Sequence, residues 1–89
     1  MTVVRNYYWG ILIQEAHYKG SCLHRNMHEG PALIKWYKSG KIQEIKYYHE
    51  GKVYRQFVFG PAATYYRRDG SIELEVFIEH DVILKTIHH

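Results

Sequence analysis

The chain repeats itself at an interval of thirty residues, and this repeat constrains its fold more than any other feature. Shifting the sequence by thirty positions aligns Gly30-Pro31-Ala32 with Gly60-Pro61-Ala62. The same shift aligns Leu23 with Val53, Arg25 with Arg55, Trp36 with Tyr66, Gly40 with Gly70, Ile42 with Ile72 and Tyr47 with Phe77. Repetition of this length indicates one supersecondary unit that packs against its own copies.

A third, degenerate copy is expected at the N-terminus, where Ile13-Gln14-Glu15 aligns with Ile42-Gln43-Glu44 after a shift of twenty-nine positions. We therefore predict one domain over residues 1–89, with a degenerate repeat at about 5–22 and clearer repeats at about 23–52 and 53–83. The length of 89 residues and the apolar content of 46% suffice for one small core.

Each repeat contains glycines at positions that predict hairpin turns. Lys38-Ser39-Gly40-Lys41, His49-Glu50-Gly51-Lys52 and Arg68-Asp69-Gly70-Ser71 are each flanked by apolar or aromatic segments. No apolar spacing of 3.6 residues persists over ten residues, and nine Tyr and two Trp favour pleated strands. The sequence predicts an all-β fold, an antiparallel meander of repeated hairpins with about seven or eight short strands.

Alternation along residues 72–79 predicts which strand faces are buried. Apolar Ile72, Leu74, Val76 and Ile78 alternate with Glu73, Glu75, Phe77 and Glu79, and the glutamates are expected on a solvated face. One conflict arises, because the thirty-residue shift sets Ile45 on the outward Glu75. Either a β-bulge changes the phase of one copy, or both faces of the second copy are partly buried.

The order Leu23-His24-Arg25, Glu29-Gly30-Pro31-Ala32, Tyr37, Gly40, Ile42, Tyr47-Tyr48 and Gly51 resembles the MORN-like repeats of bacterial, phage and giant-virus proteins. The resemblance covers about residues 10–83, and the second copy departs from it, with Tyr54 at the His24 position and Asp81 at the second glycine. It implies a β-hairpin sheet that serves as a binding scaffold without shared catalytic residues. It also makes a small phage-encoded adaptor or inhibitor a reasonable expectation.

No catalytic, metal or cofactor site is predicted. His24 and His28 are four residues apart, with His17 upstream, but on a strand or loop this spacing does not converge on a metal as it would on a helix. Cys22 and His24 lack an orienting third group, and the glutamates are read as a solvated strand face. No apolar run approaches the length of a membrane span, and the first residues lack a signal-peptide pattern. With a single cysteine, the default expectation is a cytoplasmic, non-enzymatic protein. His88 and His89 receive no weight, since they resemble a tag remnant.

Aromatic and basic residues interleave on two of the predicted strands. We expect a protein partner to bind there, through a sheet face whose candidate residues are Trp36, Tyr37, Tyr65, Tyr66, Arg67 and Arg68. The alternative is single-stranded nucleic acid bound by the same face, which a net charge of only +3 makes less favourable. The apolar C-terminal strand Val82–Ile87 has one charge and could pair with a second copy in a homodimer.

Overall fold

A computed structural model describes all residues, Met1–His89. Its strands are β1 (Thr2–Tyr8), β2 (Ile11–Lys19), β3 (Cys22–Leu23), β4 (Leu33–Trp36), β5 (Ile42–Lys46), β6 (Tyr48–His49), β7 (Lys52–Val53), β8 (Ala63–Tyr66), β9 (Ile72–Glu79) and β10 (Val82–His88), with one 3-10 turn, Phe57–Phe59. The main sheet has the order β1-β2-β4-β5-β8-β9-β10, while β3 pairs with β2, and β6 with β7. All pairs are antiparallel, which confirms the predicted all-β meander. No helix in the structure has the length and apolarity needed to span a bilayer.

The hairpin turns form where the glycines predict them. Gly40, Gly51 and Gly70 have φ of 95°, 86° and 94°, a region that costs other residues steric strain. The last hairpin, between β9 and β10, turns without glycine, at His80 (φ 52°) and Asp81 (φ 61°). His and Asp are among the few side chains that tolerate this conformation, so the departure at Asp81 does not prevent the turn.

Backbone hydrogen bonds recur at the thirty-residue interval. His17 N donates to Ala32 O at 2.8 Å, and Tyr47 N donates to Ala62 O at 2.8 Å, thirty residues later. These bonds join the end of one hairpin to the start of the next. The repeat in the sequence therefore corresponds to repeated hydrogen bonding in the sheet.

The N-terminal copy keeps the same interval in β2. Gln14 pairs with Lys35 and Glu44 pairs with Tyr65, which places Gln14 and Glu44 thirty residues apart in equivalent positions. This offset is one residue longer than the twenty-nine predicted from the sequence. The offset of twenty-nine holds in β1 instead, where Asn6 and Lys35 are equivalent, so the first hairpin is one residue shorter than the second.

The conflict between Ile45 and Glu75 is resolved by burial, because the two residues share a face on which both are half-buried. The register skips Gln43 in β5 and Glu73 in β9, so Ile45 and Glu75 both lie opposite Thr64, one on each side of β8. A β-bulge therefore occurs in both copies rather than in one. It also shifts Ile72 to the face of Glu75, since the alternation is interrupted at Glu73.

The prediction that the glutamates of β9 lie on a solvated face is wrong for two of the three. Glu73 is exposed, whereas the side chains of Glu75 and Glu79 are only 19% and 26% exposed. Glu79 Oε2 accepts a hydrogen bond from Phe57 N at 3.0 Å. Glu75 Oε1 instead contacts the His89 ring, with Nε2 at 2.6 Å, so the two carboxylates contact protein donors in place of bulk water.

The two loops of residues 24–31 and 54–61 are held to the sheet by equivalent arginines. Arg25 Nη1 donates to Pro31 O at 3.3 Å, and Arg55 Nη1 donates to Pro61 O at 3.2 Å. A Cβ on Gly60 would lie 3.0 Å from Arg55 Nη1, with φ at 122°. The Arg and Gly-Pro elements of the repeat are therefore one packed unit, in which glycine leaves room for the guanidinium.

The apolar core is small. Eight residues are buried, and the apolar ones are Ala16, Ala32, Leu33, Ala62 and Ala63. The molecule measures only 17 Å along its shortest axis, as one sheet with one layer of loops would. The fold therefore does not depend on a thick core. Half-buried side chains that pack against the sheet and 52 backbone hydrogen bonds stabilise it instead.

Candidate binding groove at the hairpin end

Three hairpin turns lie together at one end of the sheet. Strands β1, β4 and β8 run in the same direction, because each is antiparallel to the strand between them. Their turns, residues 8–11, 37–41 and 67–71, therefore lie side by side. We call this edge of the molecule the hairpin end.

A groove of about 630 Å³ opens at the hairpin end and contains no carboxylate. Three cationic residues line it, Lys35, Lys38 and Arg68, together with Trp36 and Tyr37. The remaining lining residues are polar or apolar without charge: Asn6, Ile13, Gln14, Ser39 and Gln43. Its cations, amides and aromatic rings suit a ligand that carries negative charge.

Each turn in this groove stacks a cation on a tyrosine of the preceding turn. Lys38 Nζ lies 3.9 Å from the centre of the Tyr8 ring, and Arg68 Cζ lies 5.1 Å from the centre of the Tyr37 ring. Tyr37 is fixed further, because its hydroxyl donates to Tyr66 O at 2.6 Å. The stacking holds the long cationic side chains in place without neutralising them.

Lys35 differs from the other two groove cations because it has a carboxylate partner. Its Nζ lies 3.5 Å from Oε1 of the buried Glu44, whose Oε2 lies 3.1 Å from Lys46 Nζ. Burial lowers the pKa of Lys46, but hydrogen bonds to Glu44 and Tyr65 outweigh it and raise the pKa above the usual value. Lys46 is thus charged at neutral pH. Lys38 and Arg68 form no ion pair with a carboxylate.

The one carboxylate at the hairpin end is used by its own turn. Asp69 Oδ1 accepts hydrogen bonds from Ser71 N at 2.9 Å and Ser71 Oγ at 2.6 Å. These hydrogen bonds lower the pKa of Asp69, and the nearby Arg67 and Lys41 lower it further. Asp69 therefore stabilises the turn as an anion and lies outside the groove lining.

The structure places three of the six predicted partner-binding residues in the groove: Trp36, Tyr37 and Arg68. Tyr65 and Tyr66 follow each other on β8 and so point to opposite faces of the sheet. Arg67 donates to Ile72 O at 2.7 Å and to Ser71 Oγ at 3.4 Å, and also contacts His89 O. The six residues therefore do not share one surface, and Arg67 binds backbone within its own hairpin.

The six predicted residues omit two of the three groove cations, Lys35 and Lys38. Lys38 is the omission that the sequence could have prevented. It was treated only as part of a turn, although the thirty-residue shift aligns it with Arg68. That alignment was the available signal, because two basic residues at equivalent turn positions must lie on the same end of the sheet. The stacking on Tyr8 was not accessible, since it depends on the shorter first hairpin.

Histidines collect at the opposite end of the sheet, around the turn of β6 and β7. The His24 and His49 rings lie 4.9 Å apart, and the Tyr54 ring lies 6.0 Å from His49 and 5.9 Å from His80. His24 Nδ1 accepts a hydrogen bond from Glu50 N at 2.9 Å. No three His, Cys, Asp or Glu side chains in the structure converge on a point where a metal ion could bind. These rings therefore act as packing and turn partners.

No protein-family model, no curated protein and no solved structure matches the chain. The likeness to MORN-like repeats consequently depends on the residues quoted above.

Proposed function

We propose that the protein is a non-catalytic binding module that takes an acidic segment of a partner protein into the groove at the hairpin end. The observation that carries the proposal is the groove lining, which combines Lys35, Lys38 and Arg68 with Trp36 and Tyr37 and has no carboxylate. Trp, Tyr and Arg are the residue types that dominate binding energy at protein interfaces. The positive charge of the groove complements an acidic partner and speeds its encounter.

Arg68 is the side chain best suited to hold a partner carboxylate. Its guanidinium stacks on Tyr37 and has no ion pair, so its donors are available in a defined plane. A planar guanidinium can bind a carboxylate through two parallel hydrogen bonds. Lys38 adds a second cation on the neighbouring turn, and the amides of Gln14 and Gln43 can bond the partner backbone.

The stacking favours protein over nucleic acid as the partner. Base recognition on a sheet requires exposed aromatic faces on which bases stack. At the hairpin end, one face of Tyr8 is covered by Lys38 and one face of Tyr37 is covered by Arg68. The net charge of +3 also supplies few phosphate contacts. Single-stranded nucleic acid is the alternative that the experiment below must exclude.

The proposal that the protein is a cytoplasmic adaptor or inhibitor rests on the MORN-like resemblance and on the free cysteine. A sheet of repeated hairpins without catalytic residues suits an adaptor or inhibitor, and we include phage origin because the resembling repeats occur in phages. Cys22 is unpaired, which fits the reducing environment of the cytoplasm.

The test selects extended peptides from a displayed random library and titrates the best ones against the purified protein. We expect selected peptides to be enriched in Asp and Glu, and their affinity to fall as salt rises. The double variant Lys38→Glu/Arg68→Glu should lose at least about thirtyfold in affinity, since interface hot spots contribute about 2 kcal/mol or more.

A matched control separates the groove from the overall charge. Lys19→Glu/Lys52→Glu, at the other end of the molecule, changes the net charge by the same four units, from +3 to −1. It should bind the selected peptides nearly as well as the unmodified protein. Equal losses in the two double variants would reject the groove, and tighter binding of a labelled mixed-sequence single strand than of any peptide would favour the nucleic-acid alternative.

A further inference from the structure

The two edges of the main sheet differ in how they are protected from pairing. The outer strand β10 is irregular, because its register against β9 shifts between Ile83 and Lys85, and Lys85 adds a charge there. Bulges and lysines are the usual means by which an edge strand avoids a partner. At the other edge, the seven residues Thr2–Tyr8 of β1 are all exposed and include no proline. The register shift in that pair places its extra residue, Ile13, on β2, so β1 itself is regular.

The internal repeats show which kind of strand pairs with the edge that is free in β1. Strands β1, β4 and β8 hold equivalent places, each as the first strand of a hairpin. The second edge of β4 pairs with β2, where Ile34 lies opposite Glu15, and the second edge of β8 pairs with β5, where Thr64 lies opposite Ile45. In both internal cases an antiparallel strand fills the edge. Only the corresponding edge of β1 has no strand.

We propose that the free edge of β1 binds an extended segment of another protein as an added antiparallel strand, with a carboxylate opposite Arg5. Arg5 occupies the position of Ile34 and Thr64, so the edge carries a positive charge at a position that is uncharged in both internal copies. Arg5 Nε bonds Glu15 Oε1 at 2.8 Å, and its side chain is still 53% exposed. A guanidinium has five donors, which leaves several for a second carboxylate.

An acidic heterologous strand fits this edge better than a second copy of the chain. No acidic residue occurs in β1, whose sequence is TVVRNYY. Pairing β1 with its own twin would therefore give Arg5 no carboxylate. The groove lining includes Asn6 of β1 but not Arg5, so the two sites meet at one residue, and the proposal does not depend on the function assigned to the groove. Main-chain hydrogen bonds to an exposed edge are an established mode of peptide recognition.

The probe is a labelled synthetic peptide with the sequence of Ile11–Lys19, the strand that fills the equivalent edge of β4. We expect it to bind the protein, and a peptide with Glu15→Lys to bind at least about tenfold more weakly, as expected for loss of a charge-assisted hydrogen bond. The protein variant Arg5→Glu should reverse this preference. Fluorescence anisotropy measures both titrations, and a scrambled peptide is the control.

Amide hydrogen exchange locates the bound peptide. In the free protein, amides of β1 that point away from β2 lack a backbone partner and should exchange fast. Peptide binding should protect those amides in Thr2–Tyr8 and leave Val82–His88 unchanged. The groove variant Arg68→Glu, at a residue that contacts Tyr37 rather than β1, should bind the peptide as before, so failure of the groove would be seen separately. Equal affinity for the two peptides, protection only outside β1, or dimerisation of the free protein through β1 would each overturn the proposal.

Discussion

Two pairs of basic side chains in this protein have different surroundings. Arg25 and Arg55 lie under the loops, half-buried, where each donates to a proline carbonyl. Lys38 and Arg68 are exposed at the hairpin end, where each contacts a tyrosine ring and no carboxylate. Both pairs repeat at thirty residues, so repetition alone does not separate folding from binding. What separates them is whether the cationic group already donates to the protein's own backbone.

The comparison implies that stability and binding are separable. The loop arginines should affect unfolding and leave the groove intact once the protein is folded. The groove cations should affect affinity and leave unfolding almost unchanged, because exposed charges without ion pairs contribute little to stability.

The largest stability effect is expected at Arg55. Its guanidinium lies 4.0 Å from the Tyr47 ring centre and donates to Pro61 O at 3.2 Å. Arg55→Ala removes both contacts and should lower the free energy of unfolding by roughly 2–3 kcal/mol. Arg25→Ala should lower the free energy of unfolding by less, because Arg25 Nη1 contacts His17 Nε2 at 3.3 Å and its guanidinium does not stack on a tyrosine ring. Urea denaturation of the two variants measures the difference, and equal losses would contradict this ranking.

Gly60→Ala should have the next largest effect. The new Cβ would lie 3.0 Å from Arg55 Nη1, and a φ of 122° is strained for any residue with a Cβ. We expect a loss of about 2 kcal/mol in the free energy of unfolding. Combining Gly60→Ala with Arg55→Ala should cost less than the sum, because the steric clash disappears with the arginine. Additive losses in urea titrations would show that glycine and arginine do not act as one unit.

A smaller effect is expected in acid, from the pair at the β1 edge. The hydrogen bond from Arg5 holds the pKa of Glu15 below its usual value of 4.5, with His17 contributing to the same shift. A lowered native pKa stabilises the fold above pH 4.5, and this contribution is lost as the pH falls through the native pKa. Arg5→Gln should therefore lower stability at neutral pH by under about 1 kcal/mol. The variant and the unmodified protein should converge in acid, and a difference that persists there would rule out this linkage.

The sequence predicted the fold more completely than the site. Turn glycines and β-rich composition were sufficient for the all-β meander, because turn geometry is a local property. The face of Ile72 was not predictable, since the bulge at Glu73 interrupts an alternation that looks regular in the sequence. The contacts of Glu75 with His89 and of Glu79 with Phe57 join residues distant in the chain, which no periodicity reveals.

The candidate site shows the same division between local and distant information. Trp36, Tyr37 and Arg68 were identified from residue type and lie in the groove. Tyr65 and Tyr66 were assigned to one face although adjacent strand residues point to opposite faces, a rule that was available. Arg67 looked identical to Arg68 in sequence, and only the structure shows its donors bound to Ile72 O. The predicted homodimer through Val82–Ile87 stays a prediction, and the irregular register of β10 disfavours it.

The most direct test measures unfolding and peptide affinity on the same two proteins, Lys38→Glu/Arg68→Glu and Arg55→Ala. We expect the groove variant to unfold within about 0.5 kcal/mol of the unmodified protein while losing its affinity for the selected acidic peptides. Arg55→Ala, kept at a temperature where it is folded, should show the reverse, with clear loss of stability and unchanged affinity. If both variants lose affinity in proportion to their loss of stability, the separation of folding from binding is contradicted.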